Sequence, residues 1–339
     1  MTDDQGRVTS EIGTHAAVVT LPPQDVELIG AANVPTGRRR AMRRLRHDKA
    51  FLVSVTILVL LILAATIGAP IAAHLTGHGP TEQIPDAISI DGIPIGIMQH
   101  PYMSDGVTPD ESAQRFILGA DRLGRDQLVR LLYGARISMV VAFGATGLAM
   151  VIGITLGLLA GFRGGWTDAG VSRAIETAMS FPSLLLAVGL AVVIGGGLLN
   201  VLVIIALFTW FYPARIVRNA TLAGKNLLYV DAARSVGASS RRLLIVHVLP
   251  QVWGPLLVFG TSIVANNILF EAGLSYLGVG VPPPAPSWGQ MLSDGVNSGL
   301  YRVVPALALV PGVALVLTML AFNLLGDSLR DAIDPKAMR

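Results

Sequence analysis

No cysteine occurs among the 339 residues, which excludes disulfides, thiolate metal sites and a cysteine nucleophile. Charge is scarce too: Asp, Glu, Lys and Arg make up 14% of the chain, against about 25% in an ordinary soluble domain. Aromatic residues reach only 6% and do not interleave with basic ones. The net charge of +3 and isoelectric point near 9.4 therefore do not point to nucleic acid. A phosphate-binding Gly-x-x-x-x-Gly-Lys-Ser/Thr loop is missing, since the one Gly-Lys pair, Gly224-Lys225, is followed by Asn226 and lacks the earlier glycine. There is no His-Glu-x-x-His pair and no Gly-x-Ser-x-Gly turn. The chain thus carries no cofactor site and no catalytic constellation, and any ATP-derived energy must come from a partner.

What is present is apolar surface: 52% of the residues are hydrophobic and the mean hydropathy is +0.62. A helix needs about 20 apolar residues to cross a bilayer. Six runs approach or exceed that length, near Phe51–Ala73, Ser138–Gly161, Pro182–Gly197, Leu198–Val217, Val252–Leu274 and Val303–Leu325. The expected fold is an all-α membrane protein with six transmembrane helices. The third run is short and ends in Gly195-Gly196-Gly197, so its boundary with the fourth stays open.

Arg38, Arg39, Arg40, Arg43, Arg44, Arg46 and Lys49 precede the first run, which places the N-terminus in the cytoplasm by the positive-inside rule. An even number of spans returns Arg330, Lys336 and Arg339 to the same side. The basic stretch from Arg218 to Arg242 is cytoplasmic as well. Arg115, Arg122, Arg125, Arg130 and Arg136 pull the other way, because their loop, residues 74–137, falls outside. That loop exceeds about 60 residues, the length at which the charge rule weakens. The first apolar run is too long and starts too late for a cleaved signal peptide, so it reads as a retained anchor. Residues 1–37 form an expected disordered cytoplasmic tail, 38–50 a basic juxtamembrane segment, 138–330 the core and 331–339 a cytoplasmic C-terminus. In the outer loop, Ile88–Ile95 alternates around Asp91-Gly92, a hairpin signal. It either meets an extracytoplasmic protein or caps the outer mouth.

The run from Tyr229 to Pro250 is the most informative. Tyr229, Ala232, Ala233 and Val236 fall at i, i+3, i+4 and i+7, one face of a short helix. Asp231 and Arg234 are spaced as an i, i+3 ion pair, and Gly237 supplies the stop. A short helix tethered at the membrane surface can dock into a soluble partner and transmit its movement.

Asp231-Ala232-Ala233, Gly237 and His247-Val248-Leu249-Pro250 resemble the EAA motif of ATP-binding-cassette importer permeases, with Asp231 in the Glu position and His247 in the Ile position. Further motifs resemble the peptide/nickel subfamily and its C-type permease. They are Leu118-Gly-Ala-Asp-Arg-Leu-Gly-Arg-Asp126 with Tyr133-Gly-Ala-Arg-Ile-Ser138, Ser180-Phe-Pro-Ser-Leu-Leu-Leu186, Pro282-Pro-Pro-Ala-Pro-Ser-Trp-Gly289, and Asn323–Pro335. This resemblance implies a type I importer (MetI-like) permease fold with a coupling helix, and a pore built with a second, similar permease. It further implies two cytoplasmic ATPases holding ATP and Mg, an extracytoplasmic substrate-binding protein, and residence in a bacterial-type inner membrane. The segment around Asp231–Val236 would carry ATPase closure to the spans. There Ala232 and Ala233 permit close docking, Gly237 permits the turn, and Arg241 and Arg242 hold the next helix at the cytoplasmic surface. His247 would pack at the interface. The cargo implied is an oligopeptide, dipeptide or related small solute.

Other polar residues carry open readings. His74 and His78 have i, i+4 spacing, but Gly77 and Gly79 favour loop histidines over metal ligands. Glu271 either lies near the outer interface paired with an outer-loop arginine, or lines the translocation path with Asn266 and Asn267. Arg163, Asp168, Arg173 and Glu176 either steer packing near the coupling loop or pair at the surface. Trp288 is expected at headgroup level, in a rigid outer turn. Two rival functions remain: a secondary transporter, which needs broken helices or inverted repeats and no ATPase, and a membrane-embedded hydrolase, for which no nucleophile and base are in evidence.

Overall fold

The computed structural model describes residues 37–333, so the expected N-terminal disorder and C-terminal segment beyond Ile333 lie outside the described residues. The chain divides at Met42/Arg43 into two units. Of the first, only the start of α1 (Gly37–His47) is described.

Asp48 opens α2 (Lys49–Thr76) by accepting a hydrogen bond from the Ala50 amide at 2.9 Å, which satisfies one of the donors that a helix start leaves free. The helix stops where Gly77 adopts φ +69°. Its middle contains one π turn, Ala64–Gly68, just before Pro70. Proline has no N–H and frees a carbonyl one turn back. Arg136, reaching over from the next span, donates to the carbonyls of Ala65 and of Thr66, the latter at 2.6 Å. The guanidinium thus has its donors used by a broken helix turn.

α3 (Gln127–Arg163) is capped by Asp126, which accepts from Leu128 and Val129. At 37 residues it is about 55 Å long and projects beyond the hydrocarbon. It begins eleven residues before the expected Ser138, because Gln127 and Arg130 are buried with partners of their own. Gly153, Gly157 and Gly161 form a seam along α3. A Cβ on each would lie 2.6 Å from Pro213, Ala214 and Thr221 respectively. Those residues belong to α7 (Phe211–Gly224), so the glycines let two backbones touch where lipid offers no hydrophobic drive for association.

α4 (Gly165–Ser180) and α5 (Ser183–Ile194) meet at 88°. Pro182 forces Phe181 into extended backbone, φ −106° and ψ 145°. α6 (Leu198–Leu207) and α7 are bent by 41° and read as one broken span. α8 (Leu228–Ser235) follows, then α9 (Ser240–Tyr276), with a second π turn over Leu243–Val248 ahead of Pro250. Gln251 Nε2 donates to the His247 carbonyl there, at 2.9 Å. α10 (Trp288–Asn297) and α11 (Ala306–Ile333) close the described chain.

Among the described residues four helices are long and apolar enough to span, and the number reaches six if each bent pair is one span. The main core joins α2, α3, α9, α10 and α11 around Ala142, Ala265, Ile268, Trp288, Ala321 and Phe322. Among the described residues there is no strand, only isolated bridges. In the loop between α2 and α3, Ile88 and Pro94 form such a bridge around a turn with Gly92 at φ +75°. Ala87, Ile95, Phe116 and Ala120 give this loop a small core of its own.

Candidate functional site

α8 is anchored by a single buried residue. Val230 is 0% exposed, while Leu228 and Val236 are 89% and 86% exposed. Of the four residues expected on one face, Tyr229, Ala232 and Val236 are exposed and Ala233 is half-buried. The outermost ridge is Leu228–Ala232–Val236, at i, i+4, i+8. Leu228 was missing from the sequence expectation, although this spacing marks it. Asp231 and Arg234 pair at 3.0 Å across the exposed surface, and such a pair adds little stability. The Tyr229 hydroxyl donates to the His247 carbonyl at 3.4 Å, with the two rings 6.1 Å apart. This contact ties α8 to the π turn of α9. Gly237 sits at φ +85° with open space around it, so the backbone conformation rather than crowding calls for glycine. Arg241, Arg242 and Pro250 are exposed and His247 is half-buried. Ser239 caps the start of α9 by accepting from the Arg242 amide.

Beside this surface Arg218 of α7 forks onto Asp168 of α4, with Nη2 2.7 Å from Oδ2, and Lys225 donates to the Gly161 carbonyl at 2.8 Å. Arg173 and Glu176 pair on the exposed face of α4, so the charges before α5 resolve into one inter-helix clamp and one surface pair.

At the other end of the bundle, Asp121 holds Arg125 at 2.6 Å and Arg130 at 3.2 Å, both arginines being buried. Asp294 of α10 holds Arg122 and Arg125, each at 3.3 Å. His78 bonds Asp126 at 3.1 Å and stacks on Phe116. Among the described residues no group of three His, Asp or Glu side chains is placed to hold a metal.

Asn266, Asn267 and Glu271 do not share a surface. Asn266 is exposed, whereas Asn267 is buried and donates to Thr146 Oγ1 at 2.9 Å. Glu271 is fully buried, accepting from Ser138 at 2.9 Å and from Ser275 at 2.7 Å. Of the two readings of Glu271, the pairing with an outer-loop arginine is not seen: serines hold the carboxyl, while Arg122, Arg125 and Arg130 are held by Asp121 and Asp294. Trp288 is buried in the core rather than at headgroup level, its indole N–H donating to the Leu131 carbonyl at 3.0 Å.

A helical bundle with four long apolar helices, and up to six spans if each bent pair is one, defines a multi-pass membrane protein. Comparison with known proteins gives the family. Residues 153–339 match the binding-protein-dependent transport system inner membrane component, and residues 38–90 match the N-terminal transmembrane domain of oligopeptide transport permease C. The chain belongs to this family, the permease subunits of ATP-driven importers, in which ATP hydrolysis is performed by separate ATPase subunits. It is 34% identical to the di/tripeptide transport system permease protein of Pseudomonas aeruginosa over 94% of this chain and 98% of that one. It is 38% identical to the oligopeptide transport system permease protein of Bacillus subtilis, over 87% and 88%. To the glutathione transport system permease protein of Pectobacterium atrosepticum it is 43% identical, over 65% and 72%. The inward-facing MetNI methionine ABC transporter superposes with TM-score 0.50 at 22% identity, over 60% of this chain and 96% of that one, which bears out the expected MetI-like fold.

Proposed function

We propose that this permease pairs with a second, similar permease to form an import path for short peptides. The motor is a pair of cytoplasmic ATPases that hold ATP and Mg, and an extracytoplasmic binding protein delivers the cargo. Both termini face the cytoplasm of a bacterial-type inner membrane. The near full-length match to a di/tripeptide permease supports the cargo class. The observation that carries the coupling role is the Leu228–Ala232–Val236 ridge, apolar and outward-facing on a helix otherwise held only through Val230, Tyr229 and its flanking chain. When the ATPases close, a helix seated in them moves. Tyr229 and the His247 region pass that movement to α9, whose far end carries the buried Glu271. Gly237, Arg241 and Arg242 hold the return to the membrane, and Pro250 with its π turn gives α9 a bend at its base.

The test is reconstitution with the ATPases and binding protein in vesicles, measuring tripeptide uptake. Leu228→Asp with Val236→Asp should leave the permease in the membrane but abolish ATPase co-purification and reduce uptake at least about tenfold, since central apolar anchors contribute about 2 kcal/mol or more each. Full-rate uptake without ATPase, as a secondary transporter would show, refutes the reading.

A further inference from the structure

The family role leaves the carboxylate of Glu271 unexplained. It faces neither solvent nor an arginine, and burying a charge is far costlier than burying a methyl or an amide. Its surroundings show what it holds. Oε1 accepts from Ser275 one turn along α9, Oε2 accepts from Ser138 of α3, and the hydroxyl of Ser287, the cap of α10, also meets the carboxyl. The Ser138 oxygen in turn accepts the backbone amide of Trp288, the first residue of α10, at 3.4 Å. Three elements therefore meet on one carboxyl group through donors that all point the same way.

α10 itself is wedged tightly. A Cβ on Gly289 would lie 2.5 Å from the Ala272 carbonyl of α9, and one on Gly295 would lie 2.8 Å from the Leu307 carbonyl of α11. Its N-terminal end, from Trp288 to Met291, is buried, and its C-terminal half is tied through Asp294 to Arg122 and Arg125. The Pro-rich connection from α9 is equally close, since a Cβ on Gly280 would lie 2.0 Å from Ser275 Oγ.

We propose that Glu271 is a positioning residue that, through Ser138, fixes α10 as a seal across the outer end of the permease. This rests on the orientation proposed above, which puts α10 on the extracytoplasmic side. A carboxylate suits the task because each of its oxygens accepts. Glutamine presents one acceptor and one donor, and so must set a donor against Ser138 or Ser275.

The chain's lack of cysteine makes the experiment direct. Met291→Cys, buried beneath the seal, and Asn297→Cys, exposed at the end of α10, are introduced singly into the complete importer in vesicles of phosphatidylethanolamine and phosphatidylglycerol. A membrane-impermeant maleimide is then added outside. Asn297→Cys labels readily in every background. Met291→Cys labels slowly in the parent and about tenfold faster in Glu271→Gln and in Ser138→Ala, the factor one lost charge-assisted hydrogen bond carries. More ATP is hydrolysed per peptide imported. If Glu271→Gln does not assemble, Ser138→Ala carries the test under the same criterion, since it keeps the carboxylate and its Ser275 bond. Unchanged Met291→Cys labelling overturns the seal while external Asn297→Cys labelling keeps the orientation. Labelling of Asn297→Cys only from the inside overturns both.

Discussion

Gly237 holds φ +85° with no atom near where a side chain would go. Gly237→Ala thus strains only the backbone, by about 1–2 kcal/mol. The expected outcome is normal membrane insertion with a lowered ratio of peptide imported to ATP hydrolysed, read in proteoliposomes; an unchanged ratio would show that the turn is not part of the lever. Residue chemistry was legible in the sequence where spacing carries it: the Asp231–Arg234 pair and the Gly237 stop are as read, whereas His74, expected in a loop with His78, lies in the last turn of α2. Charge was less legible. Counted along the chain, Arg122, Arg125, Arg130 and Arg136 are loose positive charges on the wrong side of the membrane. In space, three are neutralised by Asp121 and Asp294 and the fourth caps the open turn of α2. The pairs of Asp294 with Arg122 and Arg125 span 172 and 169 residues and leave no local signature, and neither does the Ser138–Glu271 bond across 133 residues.

At the scale of elements, spans were found by hydropathy and their ends were missed wherever polar groups have internal partners, as at the first eleven residues of α3. The start of α2 offers a test of capping. The Ser328 hydroxyl of α11, together with the amides of Ala50 and Phe51, holds the Asp48 carboxyl below its ordinary value of 3.8. A depressed native value means that this stabilisation is complete above the unfolded value and fades as pH falls through the lower native one. Asp48→Ala should cost about 1 kcal/mol, seen as a lower melting temperature at pH 7 and as loss of the acid dependence that Asp48 contributes. The α3 glycine seam supplies a second test. Gly157→Leu places a side chain where Ala214 and Val217 already stand and should destabilise by about 1–3 kcal/mol, detected as early aggregation in detergent. Gly147→Leu, with open space around it, is the control.

Across the whole molecule, the helical spans were legible from apolar runs, but the 88° elbow at Pro182 and the 41° bend before α7 were not, because a single sequence shows a proline without showing where the chain turns. If both ends of the chain share the basic side, epitope tags at Met1 and Arg339 should become accessible to antibody only after the vesicles are opened; exposure of either tag in intact, right-side-out vesicles would reverse the topology. The elbow has one more consequence. α5 has twelve residues, so it rises about 18 Å in a hydrocarbon layer about 30 Å thick. Much of its flank, from Leu184 through Ile194, is bare. A neighbouring helix packed along that bare flank would cover it. If the second permease proposed above is that neighbour, yield of intact protein should rise when the two are co-expressed.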